Sequence, residues 1–232
     1  MNFRFTFAAI AAAISIAGCT STPTFQEGPD AEVTFDGLTR LDGTVMDVAW
    51  VRRDIDLSSF SKVMFQGVGF EYRPVDGPVG GREGMSTMSI RRNSSTEFAI
   101  GPNTRELFEK EITESFMKAV SASERYQVVN EAGPDVLLVR GGLLDVVSRV
   151  PPEAVGRSTV FIDSVGEATL VLEVRDSVSN AIFARAVDRR AARRGDVMME
   201  SNRVTNQAEV RRLGRDWGDQ LRRGLEALLA TP

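Results

Sequence analysis

The tightest constraint on this chain lies near its C-terminal end. There Val210, Leu213, Trp217, Leu221, Leu225 and Leu228 recur at spacings of three and four residues. That spacing puts all six on one stripe of an α-helix, with charged residues on the remaining surface. A helix with a single apolar stripe gains most of its stability by packing that stripe against another element. The required surface is written upstream, because Gly166–Val174 alternates with period two and places Ala168, Leu170, Leu172 and Val174 on one face of a strand. The core is therefore expected to form between helices and one face of a sheet.

The other elements fit the same layout. Val45–Val51 and Lys62–Phe70 read as strands, separated by the turn Asp54-Ile55-Asp56-Leu57-Ser58. A first helix is signalled by a capping box, Asn103 with Glu106, and by the stripe Phe108, Ile112, Phe116 and Val120. Tyr126–Val129 reads as a short strand. Val136–Val147 reads as a long one with a break at Gly141-Gly142. Ala181–Ala191 returns as the hairpin partner of Gly166–Val174, and a second capping box, Asn206 with Glu209, opens the last helix. The expected fold is α+β, a mostly antiparallel sheet with two helices packed on one face. A glycine- and arginine-containing loop at about 71–101 interrupts it, too long to be an ordinary connection.

The N-terminus carries different information. A basic start leads into the apolar run Phe5–Ile16, which ends in Ala17-Gly18-Cys19. The run falls well short of the roughly 20 apolar residues of a membrane-spanning helix and has the layout of a secretory signal. The cysteine sits where the mature chain would begin, as in the lipobox of bacterial lipoproteins. Residues 1–18 are thus expected to be a lipoprotein signal peptide, cleaved between Gly18 and Cys19, with Cys19 the site of lipid attachment. Residues 19–36, rich in Thr, Pro, Glu and Gly, read as a flexible tether, and 37–232 as a single domain. Thr20 rather than Asp after the cysteine points to the outer membrane, with the inner membrane and the cell surface left open.

Composition removes much chemistry. The 232 residues include no histidine and one cysteine, and the net charge is −4. With Cys19 acylated, no imidazole or free thiol remains for Ser-His or Cys-His catalysis, or for a zinc site of the usual kind. Lys62, Lys110 and Lys118 are the only lysines, and a mildly acidic secreted chain is a poor partner for nucleic acid. Carboxylate chemistry, a serine-lysine pair or an oxygen-ligand calcium site remain open.

Several segments together resemble one family: Asp56-Leu57-Ser58-Ser59-Phe60-Ser61-Lys62-Val63, Tyr126–Val129 running into Gly133-Pro134-Asp135-Val136-Leu137, Ala184–Arg190, and Trp217 in the C-terminal helix. The chain from about Thr39 to Leu229 resembles domain-of-unknown-function family 3313, a group of Gram-negative lipoproteins. The resemblance implies envelope attachment and brings no activity and no catalytic residues.

Two groups of side chains are candidates for contacts. Asp47, Asp54 and Asp56 lie close enough in sequence to suggest calcium, but they lack the ligand spacing of a calcium loop, and turn capping accounts for them better. Arg189, Arg190, Arg193 and Arg194 cluster after a strand, where they would either contact anions or a partner, or pair with nearby acids. No metal or cofactor is expected. The leading expectation is a non-enzymatic, periplasm-facing binding or envelope-assembly module held to the membrane by its lipid. Its partner would be an envelope protein or a second copy of itself. The alternatives are a small-ligand or lipid-binding domain, and then a hydrolase using paired carboxylates.

Overall fold

The computed structural model describes residues 23–75, 79–80, 97–151 and 159–230. The stretch 1–18, expected as a signal peptide, and Cys19 lie outside them, as does most of the long loop. Twelve strands are described: β1 (Thr24–Phe25), β2 (Thr39–Asp42), β3 (Val48–Val51), β4 (Lys62–Tyr72), β5 (Val79–Gly80), β6 (Ala99–Ile100), β7 (Gln127–Val129), β8 (Val136–Ser148), β9 (Phe161–Ile162), β10 (Gly166–Asp176), β11 (Ile182–Ala191) and β12 (Met199–Glu200). Helix α1 (Pro102–Val120) precedes β7, and α2 (Arg203–Ala230) ends the described chain. Eight strands form one sheet in the order β1-β2-β3-β11-β10-β8-β4-β7. Its pairings are antiparallel except those of β4 with β7 and β8. The fold is α+β, as the patterning requires.

The alternation in β10 does what its period implies. Ala168, Leu170, Leu172 and Val174 are buried while Glu167, Thr169, Val171 and Glu173 stay half-exposed. Against the buried face lie Val210, Leu213, Trp217, Leu221 and Leu225 of α2, and Ile112, Ala119 and Val120 of α1. Each large side chain in this layer contributes about 1.5–3 kcal/mol by leaving water. The two helices also touch each other closely. A Cβ on Gly214 would sit 2.7 Å from the Ile112 carbonyl oxygen, and one on Gly218 would sit 2.6 Å from that of Phe116. The Gly-x-x-x-Gly spacing removes side chains where the α1 backbone passes.

Four expectations are revised. The stretch 19–36, expected as a tether, is docked from Thr24 onward: β1 pairs with β2, and Gln26 N–H donates to the Arg40 carbonyl at 3.0 Å. Strand β3 begins at Val48 rather than Val45, because residues 45–47 are part of the β2–β3 turn, where Thr44 Oγ1 donates to the Met46 carbonyl at 2.6 Å and Asp47 N–H donates to Asp188. Neither capping box forms. Helix α1 starts at Pro102 with no side-chain cap, since proline's fixed φ and missing N–H suit a first turn. In α2 the cap is Asn202, whose Oδ1 accepts from Thr205 N–H at 2.9 Å, one turn before the expected start. Strand β8 is not broken at Gly141-Gly142 but runs through it, with register irregularities beside β4 and β10.

Candidate functional site: an apolar cleft at one end of the sheet

The strand registers sort the connections into two ends. Thr24 pairs with Asp42, Val48 with Val187, Glu167 with Ala191, Gly166 with Ser148, and Tyr72 with Val146. One end of the sheet therefore collects the start of β1, the β2–β3 turn, the end of β11, the start of β10 and the ends of β8 and β4. The N-terminal turns of both helices lie over this same end. Between them and the sheet is a cleft of about 700 Å³. Its walls include Leu107 of α1, Val146 of β8, Pro151, Ala168 of β10 and Gln207 and Val210 of α2.

Among the described residues, the two helices cover this end of the sheet only in part. At Asp145 the backbone is left-handed, with φ of 57°, and the register between β10 and β8 slips beside it. Beyond it the adjacent Val146 and Val147 are both buried. The wall is mostly apolar, with Glu106, Lys110, Glu167 and Arg203 among its polar residues. Asn206 donates from its side-chain nitrogen to Ser201 Oγ at 3.2 Å, while its buried Oδ1 has no hydrogen-bond partner among the described residues.

A second cavity of about 220 Å³ lies between α1, Trp217 and the strands that carry Gly67, Gly69, Gly141 and Gly142. The glycines keep this space open on one side, while on the other a Cβ at Gly141 would meet Leu172 Cδ2 at 2.7 Å.

Trp217 is fixed from the sheet. Its indole Nε1–H donates at 2.7 Å to Oδ2 of Asp188, a carboxylate only 2% exposed. Arg190 Nε reaches the same oxygen at 2.6 Å, and Asp47 N–H donates to Oδ1 at 3.1 Å. Asp188 and Arg190 are two apart on one strand and so share a face; Arg189, the nearer residue in sequence, points the other way. Pairing and full satisfaction allow the charge to stay buried.

The four arginines expected to form one cluster are divided between different contacts. Arg189 pairs with Glu167 at 2.8 Å and Asp145 at 3.3 Å on the open sheet face. Arg190 belongs to the buried pair, and Arg193 faces the exposed Asp196 at 3.3 Å. Arg194 is exposed and has no ion pair among the described residues. On the open face Arg73 grips Asp145 with two nitrogens and also meets Glu97. Burial raises the Glu167 carboxyl, but Arg189, Arg149 and Arg73 outweigh it and hold the group below the usual range. Glu173, between Arg175 and Arg185, is held down in the same way against its burial.

The aspartates weighed as a calcium site do not converge. Asp47 Oδ2 accepts from Arg189 N–H at 2.8 Å and Asp56 Oδ1 accepts from Ser58 N–H at 2.9 Å, which is turn and strand capping. Among the described residues no three acids are grouped to hold a metal, and every carboxylate whose pKa departs from its usual value departs downward. A general acid near neutrality requires the opposite displacement. Among the described residues, no helix is long and apolar enough to cross a membrane.

The sequence reading placed a ligand cleft beside Gly141-Gly142 and the long loop rather than here. The walls of this cleft come from segments far apart in the chain, and no spacing within any one of them marks it.

No protein of curated function matches the chain in sequence. Similar solved structures include a DUF330-family protein from Xanthomonas campestris, at 10% identity, covering 73% of this chain and 85% of that one, with a TM-score of 0.38. Others are the PelC dodecamer from Paraburkholderia phytofirmans (8% identity, 75% and 95% covered, TM-score 0.30) and a hypothetical protein from Chlamydia trachomatis (11%, 72% and 99%, 0.34). At these values they are likenesses only. The family model described as a protein of unknown function (DUF3313) matches residues 33–221, most of the folded domain, and the chain belongs to that family.

Proposed function

We propose that this protein is a lipid-anchored, non-enzymatic binding module of the cell envelope. In this reading it is held in the outer membrane through Cys19, faces the periplasm, and receives a small apolar or acyl-bearing ligand in the cleft. The observation that carries the ligand is the 700 Å³ cleft, whose mostly apolar walls come from segments far apart in the chain. That volume lies in the range of ordinary small-molecule sites. The anchor is supported by the apolar run ending in Ala17-Gly18-Cys19 and by the absence of any other thiol.

Two measurements test the two parts. Fractionation of Cys19→Ala cells should move the protein from membrane to soluble fractions; retention in the membrane overturns the anchor. Fluorescence titration with a dansyl-labelled fatty acid should saturate for the wild type. Gln207→Trp, a half-buried position on the cleft wall, should weaken binding at least tenfold with an unchanged unfolding midpoint. Unsaturable binding, or equal binding by the variant, overturns the ligand reading.

A further inference from the structure

The chain enters the fold at a particular place, and that place has consequences for how an anchored domain meets its membrane. Thr24 already pairs with Asp42, so only the residues between Cys19 and Thr24 separate the expected lipid from the sheet. Whatever their conformation, they reach no further than about 18 Å. Thr24 lies at the same end of the sheet as the cleft. The opposite end, marked by Val178 in the β10–β11 turn, is about 35 Å away along strands of eleven and ten residues.

The near end also carries exposed apolar side chains. Phe161, Val197, Met198 and Val204 are 58% to 73% exposed. They surround the small β9–β12 ribbon and the first turn of α2: β12 pairs with β9, Ser201 N–H donates to the Val160 carbonyl, and Asn202 caps the helix. Val160, Ser201, Asn202 and Arg203 of these same segments line the cleft, so the apolar group borders its mouth. Arg193, Arg194 and Arg203 stand among the exposed apolar residues, as do Asp163, Asp196 and Glu200, so these described charges around the apolar group balance. Attraction of a surface here must come from apolar insertion more than from net charge.

We infer that this end of the sheet is the membrane-facing end. Phe161, Val197, Met198 and Val204 enter the interface of the bilayer that holds Cys19, and the cleft opens toward lipid rather than toward the periplasm. The inference rests on the anchored reading of Cys19. It deepens the cleft assignment by giving its ligand a route: an acyl-bearing molecule passes from the bilayer into the cleft without crossing water. The short reach of the chain argues for the bilayer as the occupant, because the chain enters the fold at this end and its lipid lies within about 18 Å of Thr24.

The sole cysteine of the chain is the acylated one, so any introduced cysteine is a unique free thiol. The test uses the full-length lipidated protein with single substitutions Phe161→Cys, Met198→Cys, Phe35→Cys or Val178→Cys. Each is labelled with an environment-sensitive fluorophore and reconstituted in vesicles of phosphatidylethanolamine and phosphatidylglycerol containing nitroxide-labelled lipid. Quenching at positions 161 and 198 should exceed that at 178 several-fold. Phe35, almost fully exposed in a turn at the far end of β2, reports on whether the β1–β3 edge lies flat on the bilayer instead. Equal or stronger quenching at 35 or 178 overturns the orientation. Shielding of 161 and 198 from both lipid nitroxide and aqueous iodide also overturns it, in favour of a protein partner or a second copy. Mass measurement of the same samples separates the two levels. Absence of acyl chains on Cys19 overturns the anchor and the orientation together, whereas an acylated protein with the wrong quenching pattern overturns the orientation alone.

Discussion

The buried Asp188 joins the sheet to α2, and removing its carboxylate should be among the most damaging small changes in the domain. Asp188→Ala leaves three donors without their acceptor: the Trp217 indole at 2.7 Å, the Asp47 amide at 3.1 Å and the Arg190 guanidinium at 2.6 Å. Breaking a buried ion pair by removing one partner costs about 3–5 kcal/mol. Trp217→Phe removes only one of these donors and leaves Asp188 paired with Arg190 and the Asp47 amide, so the hydrogen-bond loss is about 1.5–3 kcal/mol. The two changes share one contact, and the double variant should cost less than the sum of the single ones by at least about 1 kcal/mol. Urea unfolding gives the free energies, followed by circular dichroism because the Trp217 variants lose the buried fluorophore. A cost below about 1 kcal/mol for Asp188→Ala, or strict additivity with Trp217→Phe, would refute the view that this carboxylate is held in place by its three donors.

Two further outcomes follow from the packing and the charges. Gly218→Ala should destabilise by about 1–3 kcal/mol because the new Cβ meets both the Phe116 carbonyl and the Ala119 Cβ. The same change at Gly224, which faces open space on the same helix, should stabilise by about 0.5–1 kcal/mol, and chemical denaturation of the pair checks the contrast. Acid sensitivity should depend on Glu173, whose carboxyl is held below its ordinary value of 4.5 by Arg175 and Arg185. A lowered folded-state pKa gives stability that is complete above the unfolded value and lost as pH falls through the folded one. Glu173→Gln should therefore lower the thermal midpoint at pH 7 and flatten its fall between about pH 5 and 3; an unchanged acid slope would contradict the ion-pair account.

An ion-paired open face, a buried core face and an uncovered end divide the sheet into three chemical environments. On the face bearing Glu173, Arg185 and Arg175 these three residues pair with one another, while the buried Nε of Arg140, opposite Glu173, has no hydrogen-bond partner among the described residues. The opposite face is closed by the two helices. The end at which the chain enters holds the cleft and the exposed side chains around Phe161 and Met198, while Phe35 and Val178 are exposed at the opposite end.

Periodicity in the sequence is enough to specify the elements that bury one face. The stripe from Val210 to Leu225 and the alternation from Ala168 to Val174 meet each other in the structure because each has no other way to leave water. The family membership was equally legible, carried by ordered segments from Asp56 to Trp217. Helix starts were less so: Asn103 and Asn206 both precede a glutamate by three residues, yet Pro102 and Asn202 begin the helices, since local capping signals compete and the packing of the first turn chooses between them. Tertiary structure alone decided what Thr24 and Asp188 do. Thr24 leaves the expected tether because β2 offers an unpaired edge, and Asp188 finds Trp217 because strand register and helix packing bring together residues 29 apart. The cleft belongs to the same class. It is a gap between elements, and the sequence encodes elements by local periodicity but encodes the space between them only through the way they assemble.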